Sequence, residues 1–422
     1  MGTAVKQQKK VPELRFSAFN DEWQSAKISA VTSDVTYGLT VRPEYLTEGV
    51  PLISAREIKT GEINYDAAPK ISLADFNKLS DKAKPRLGDL FLTKTGTVGF
   101  SSIVDRDIKA AITQNIAIIR IKDEQKLYGL FLLQQFKTED FQRKILSKVN
   151  QSTIMDLQLG DIKKTVITYP GYTEQQKIAD FLGSVDTWLD NLRKQKTTLE
   201  TYKRSMMQKL FTQQVRFKDD NGKAFPEWIS LTLGELGSVK TSSTDKLSIK
   251  GETSVKLLNY MDVYRRDHIY LTDSFQEVTA TNREISTFTL KLGDVLFTPS
   301  SETPTDIGHS AVVMEDLPGV LYSYHLVRFR PKKNVFYPQF AGYAFKSYAF
   351  YKEFWRRAQG ATRFTLSLES IKDAMVFYPQ NLDEQKKIAD FLTALDETIK
   401  AKAEEIAKVE QWKKGLMQKM FI

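Results

Sequence analysis

The sequence predicts a mixed α/β (α+β) fold in which two globular units are joined by two long antiparallel helices, with a pseudo-twofold internal repeat. Three observations predict it. A block of sequence occurs twice, each copy opens a long proline-free heptad segment, and short apolar runs bounded by glycine, proline or polar clusters precede each segment. The implied division is a first globular unit with a basic N-terminal tail (1–172), a central helical spacer (173–212), a second globular unit (213–382) and a C-terminal helical spacer (383–422).

The repeat is explicit. Glu174-Gln175-Gln176-Lys177-Ile178-Ala179-Asp180-Phe181-Leu182 recurs as Glu384-Gln385-Lys386-Lys387-Ile388-Ala389-Asp390-Phe391-Leu392, an offset of 210. Tyr202-Lys203-Arg204-Ser205-Met206-Met207-Gln208-Lys209-Leu210-Phe211 matches Trp412-Lys413-Lys414-Gly415-Leu416-Met417-Gln418-Lys419-Met420-Phe421 at the same offset. Weaker echoes run backwards: Tyr169-Pro170 with Tyr378-Pro379, Leu87-Gly88-Asp89 with Leu292-Gly293-Asp294, and Glu22-Trp23 with Glu227-Trp228. Their offsets drift from 209 to 205, as variable loops between fixed framework positions require.

Between Thr173 and Phe211 there is no proline and one glycine, Gly183. Thr173 suits an N-cap, with Gln176 completing a capping box. Ile178, Phe181, Val185, Trp188, Leu192, Leu199, Tyr202 and Met206 fall at heptad steps, broken once at Gln195. Acids lead and bases trail, which complements the helix dipole. The second copy places Ile388, Leu392, Leu395, Ile399, Ile406, Val409, Leu416 and Met420 on one face, with Asp383 as N-cap. A helix of this length, ~58 Å at 1.5 Å per residue, cannot bury its seam alone, and its repeat is the partner closest in composition. The Met-rich ends suit a docking surface and seam packing equally.

Strands are expected at Val50–Ser54, Asp89–Thr93 and Ile116–Ile121, and at Val255–Asn259, Asp294–Thr298 and Leu326–Arg330. Leu127–Phe141 and Phe340–Trp355 read as helical, and Asp219-Asp220-Asn221-Gly222 as the turn into the second unit.

Composition narrows function less sharply. The net charge of +9 favours a polyanionic partner without naming one. No apolar run approaches a membrane span, so no membrane partner is expected. The first ten residues, MGTAVKQQKK, lack the apolar stretch of a signal peptide. The absence of cysteine excludes disulfides and fits a cytoplasmic setting. Catalytic signatures are missing. There is no G-x-x-x-x-G-K-[ST], no G-x-G-x-x-G after a strand, and no Asn-Pro-Pro or Asp-Pro-Pro. His268, His309 and His325 stand apart, so no metal site is expected. Lys94-Thr95-Gly96-Thr97-Val98-Gly99 lacks the Lys-Ser/Thr and helix of a phosphate cradle. A diffuse nuclease carboxylate cluster stays open.

Two dissimilar strand-rich units alternating with two near-identical helical segments that carry E-Q-[QK]-K-I-A-D-F-L resemble the specificity subunit of type I restriction–modification systems over essentially the whole chain. Val11-Pro12-Glu13-Leu14-Arg15-Phe16 and Phe225-Pro226-Glu227-Trp228 are further landmarks. The resemblance implies a non-catalytic subunit. Each globular unit would be a target-recognition domain for one half of a split site on double-stranded DNA, with the helices as a ruler between halves. It also implies two methyltransferase subunits docked on the helices and two motor-nuclease subunits for restriction. Methylation would be at adenine N6, from S-adenosylmethionine held by the methyltransferase; no cofactor is expected on this chain. With no C-terminal extension after Ile422, the N-terminal arm is left to close the circular arrangement.

The loops carry residue types that suit base and phosphate contacts. Lys94, Thr95 and Thr97 are the first candidates in the first unit, with Arg42, Arg56 and Gln114 second. In the second unit they are Asn259, Tyr260, Arg265, Arg266, Ser300, Ser301 and Arg363. Two other readings compete: a DNA-binding scaffold that never meets a methyltransferase, which would bind DNA tightly alone, and a protein-only coiled-coil adaptor, which would not bind DNA at low salt.

Overall fold

The computed structural model describes residues 11–58, 61–149 and 154–422. The basic tail expected at residues 1–10 lies outside them. Two compact units emerge, Met1–Arg193 with Glu404–Ile422, and Lys194–Ala403. Among the described residues no helix is long and apolar enough to cross a membrane.

The first unit is built on an antiparallel sheet ordered Thr32–Tyr37, Ile116–Ile121, Leu90–Thr93, Ser101–Ile103. Successive side chains of a strand point to opposite faces. Here Leu90, Leu92, Ala117 and Ile119 enter one core, while Phe91, Ile116 and Ile118 enter another. Burial on both faces explains why these strands read as unbroken apolar runs rather than alternating ones. A small mixed sheet, Lys70–Ile71, Val50–Ile53 and Ala111–Ile112, lies beside it.

The second unit repeats the plan. Its main sheet runs Gly237–Thr241, Val327–Pro331, Val295–Phe297, Ser310–Val313, with His268–Ile269 added at the edge. Val295, Phe297 and Phe329 face one core and Leu296, Ala311 and Val313 the other. Thr253–Leu258 pairs antiparallel with Gln276–Ala280 and parallel with Val320–Tyr322, as its counterpart does in the first unit.

Each long aromatic stretch is two helices rather than one: Gly129–Phe136 and Glu139–Leu146, then Pro338–Ala344 and Tyr348–Arg357. Thr138 and Ser347 break them, because their hydroxyls cap the following helix by accepting from the N–H of Phe141 and Phe350.

The long helices span Tyr172–Phe211 and Leu382–Met420. Thr173 and Asp383 are therefore first-turn residues and not N-caps. The Gly171 carbonyl accepts from Glu174 and Gln175, and Asn381 Oδ1 accepts from Asp383 and Glu384. In the first unit Lys413 pairs with Asp186, and Arg193 with Glu410 at 2.6 Å. One index rises as the other falls, so the two segments run antiparallel. Val185, Leu189 and Leu192 form the seam with Val409. The expected seam residue Trp188 is 45% exposed, because Leu189 fills the position between Val185 and Leu192. In the second unit Lys203 pairs with Asp396 at 2.5 Å, and Leu210 and Phe211 share a core with Ile388 and Leu392. Tyr202, also expected in the seam, is exposed. Met417 and Met420 are buried in the first unit's core, and Met207 packs on the second's. Packing, not an open surface, accounts for these three.

Candidate nucleic-acid interface

One hydrogen-bonded frame holds the candidate loop in both units. In the first, Thr93 N–H donates to Phe100 O (2.8 Å), Gly99 N–H to Thr93 O (3.0 Å) and Leu157 N–H to Lys94 O (2.7 Å). In the second, Thr298 N–H donates to His309 O (2.9 Å), Gly308 N–H to Thr298 O (3.0 Å) and Leu366 N–H to Pro299 O (2.8 Å). Thr93 and Thr298 stand 205 apart, whereas Gly99 and Gly308 stand 209 apart. The second loop is thus four residues longer, and the drift noted in the sequence occurs inside it. Between these fixed endpoints the two loops differ in length and in chemistry.

In the first unit the Lys94 ammonium lies 2.9 Å from Asp156 Oδ1 and 3.1 Å from Thr95 Oγ1, and Thr95 donates to Asp156 at 2.5 Å. Burial opposes ionisation of Asp156, but hydrogen bonds from Thr95 and Lys94 hold it below the usual carboxylate range. Lys94 is thereby neutralised in place and nearly buried, under the half-exposed ring of Tyr37. Thr97 and Gln114 are exposed; Gln114 is held by its N–H on Leu39 O, and Lys94 N–H donates to Asn115 O. Arg42, over the Tyr45 ring, and Arg56 sit exposed on neighbouring loops.

In the second unit Tyr260, Ser300, Ser301 and Arg363 come together. The Tyr260 hydroxyl donates to Ser300 O at 2.7 Å, and Arg363 Nη2 donates to Ser300 Oγ at 3.2 Å. Ser300 and Ser301 pair with Thr365 and Phe364. Arg265 is exposed at the end of its helix. Arg266 is occupied by Asp262 (2.8 Å), and Asn259 Nδ2 by Gln276 (3.0 Å).

Sequence reading missed several neighbours. Asp156, far along the chain from Lys94, carried no local signal. Tyr264 and His309 pack with ring centroids 4.4 Å apart, tilted at 54°, and both bond Asp306. His325 lies by Lys246 and Arg363; burial first, then those two cations, push its imidazole below its ordinary value. Among the described residues no group of three or more His, Asp or Glu could hold a metal ion.

Residues 22–201 and 226–411 match the family described as type I restriction modification DNA specificity domain, once for each copy of the repeat. The chain belongs to that family. It is a specificity subunit, the non-catalytic member of a type I system. The type I restriction enzyme MjaVIII specificity subunit of Methanocaldococcus jannaschii is 26% identical, over 78% of this chain and 74% of its own. A second relative from that organism, named for the MjaX system, is 25% identical over 94% and 92%. The fold is shared with the type I S subunit from M. genitalium, with a TM-score of 0.57, 18% identity, and 98% and 99% of the two chains covered. A chain of a type I R-M system solved to explain complex assembly and conformational transition gives 0.60 at 15% identity, over 94% and 97%.

In this specificity subunit the duplicated Glu-Gln is structural. Glu174 takes the Arg15 guanidinium at 2.7 Å, and Glu384 takes Arg216. Gln175 donates to Lys126 O and Pro170 O and accepts from Tyr128 N–H; Gln385 does the same with Val335 O, Pro379 O and Tyr337 N–H. The motif welds each helix start to its globule.

Proposed function

We propose that this specificity subunit reads a gapped, two-part site on double-stranded DNA, one half per globular unit, and directs methyltransferase subunits to adenine N6 in that site. The carrying observation is one backbone frame built twice around loops of different length and chemistry. A frame repeated with different contents suits two half-sites of different sequence. In this reading two methyltransferase subunits supply S-adenosylmethionine and the chemistry, and two motor-nuclease subunits join for restriction, in the cytoplasm. Exposed Lys and Arg around the loops would hold phosphates and make affinity fall with salt. The long helices set the gap between the halves.

The test is to co-express the chain with its methyltransferase subunit in a methylation-free host and to map every modified adenine. A gapped motif that vanishes without this chain supports the reading. A contiguous motif, or methylation that ignores the chain, overturns it. Removing one heptad from each long helix should alter the gap or abolish methylation while both half-sites stay as they were.

A further inference from the structure

We infer that Arg363 reads a guanine in the half-site taken by the second unit, with Ser300 and Tyr260 as the residues that position its guanidinium; this rests on the function proposed above. Arg363 sits near the tip of a hairpin. Gln359 and Thr365 exchange both backbone hydrogen bonds, at 3.0 and 2.8 Å, and enclose the five residues from Gly360 to Phe364. Gly360 has φ +139°, and a Cβ there would lie 2.0 Å from the Arg363 carbonyl oxygen. A residue with a side chain could not close the tip in this way. Thr365 and Phe364 then pair with Ser300 and Ser301, which fixes the hairpin to the long recognition loop.

The side chain is anchored at one point and otherwise uncommitted. Arg266, Arg330 and Arg357 are each occupied by a carboxylate, from Asp262, Asp294 and Glu353. Arg363 is exposed and has no carboxylate partner among the described residues. One N–H of Nη2 goes to Ser300 Oγ, and Ser300 is itself held by the Tyr260 hydroxyl. That bond holds one edge of the fork and leaves its other donors without a carboxylate among the described residues. A phosphate contact needs charge and little direction. A fork aligned before binding suits the paired O6 and N7 acceptors of guanine in the major groove, which admits a two-stranded ribbon. Lys246, beside His325, adds positive charge on this flank. At the matching place in the first unit Thr95 pairs with Asp156, and the cation there, Lys94, is neutralised. Among the described residues the first unit has no arginine at that place, so this contact is assigned to the second unit.

The experiment maps methylated adenines for the complete methyltransferase complex carrying wild-type chain, R363A, R363K or Y260F. Wild type should show an invariant guanine in one half-site. R363A and R363K should relax that one position about 10-fold or more and leave the other half-site intact, with Y260F relaxing the same position less. Even loss of methylation at all sites in R363A, fully restored by R363K, would make Arg363 a phosphate anchor and overturn the inference; an unchanged motif would do so too. Where a variant leaves no methylation to map, wild-type and R363A complexes are bound to duplexes in which each guanine of either half-site is replaced in turn by 7-deazaguanine. A drop of about 10-fold at one position that the R363A complex does not show supports the inference, and no drop at any position, or the same drop for both complexes, sinks it. A wild-type complex with no two-part motif would instead refute the function on which it rests.

Discussion

The Leu-Gly-Asp tripeptides stood out in the sequence only because they recur, and the structure shows what their aspartates do. Gly88 and Gly293 turn the chain at φ +87° and +83°, and each aspartate accepts a backbone N–H three residues back, from Arg86 or Lys291. Asp89 then receives Arg120 through two bonds of 2.8 and 2.7 Å, and Asp294 receives Arg330 at 2.6 and 2.7 Å. The arginines lie 31 and 36 residues further on, so no common spacing betrayed the pairs. Asp294 is fully buried while Arg330 is partly exposed. Asp294→Ala should therefore cost about 2–4 kcal/mol, read as a lower urea midpoint of the full chain. His268 gives a pH test. Its Nε2 is buried without a partner, and the ring is faced by Asp267, Lys346, Asp396, Lys203 and Gly342. Burial disfavours the imidazolium and lowers its pKa from 6.5, against the pull of Asp267. Below that ordinary value the unfolded chain takes up a proton that the folded chain resists. This part of the stability is complete above pH 6.5 and is lost as pH falls through the depressed folded value. His268→Gln should flatten the stability profile below about pH 6.5; an unchanged slope would show that other groups set it.

Elements were legible where one physical rule governs them. Strands buried on both faces had to read as apolar runs, and the proline-free heptads had to be long helices. The misplacements have equally definite causes. Leu189 and Trp188 are both apolar neighbours, so the pattern alone could not say which faces the seam. Asn381 caps the last helix from outside the repeated block, two residues before Asp383. The two aromatic helical stretches broke at Thr138 and Ser347, which satisfy caps that periodicity does not register. In the repeated block, sequence could see that Gln385 recurs but not that it serves three backbone groups at once. Gln385→Ala would leave Val335 O, Pro379 O and Tyr337 N–H unpaired beside a fully buried position. Each such group costs about 1–3 kcal/mol, so the variant should misfold or melt far below wild type. Lys386→Ala, next to it, loses only an exposed pair with Asp390 and should melt like wild type. Equal melting temperatures for the two variants would contradict the structural role of the motif.

At the scale of the whole chain, the repeat was readable but its closure was not. In the second unit Val215 N–H donates to Lys209 O at 3.2 Å, Arg216 reaches Glu384, and Phe217 packs edge-on against Phe391 at 5.7 Å. In the first unit the N-terminal arm makes the same contacts without a covalent link. Leu14 N–H donates to Lys419 O at 2.8 Å, Arg15 reaches Glu174, and Phe16 packs against Phe181 at 5.8 Å. The arm thus meets the end of the C-terminal helix, and the two junctions differ mainly in that one is cut. That difference can be exchanged. Five residues separate Lys209 from Val215, and the fourth of them, Gln213, has φ +58°. Joining Ile422 through a single glycine to Glu13 also puts five residues between Lys419 and Leu14, with the glycine at the fourth place. Pro12 could not serve there, because its ring holds φ near −65°. New termini opened in the Asp219–Gly222 turn would interrupt local hydrogen bonds around Asp219 and the exposed pair of Asp220 with Lys387. The permuted chain should fold with a melting temperature near that of the parent and support methylation at the same sites. A permutant that fails to fold while its glycine-linked, uncut counterpart folds would show that the covalent connection at Asp219–Gly222 contributes more than the contacts it shares with the arm.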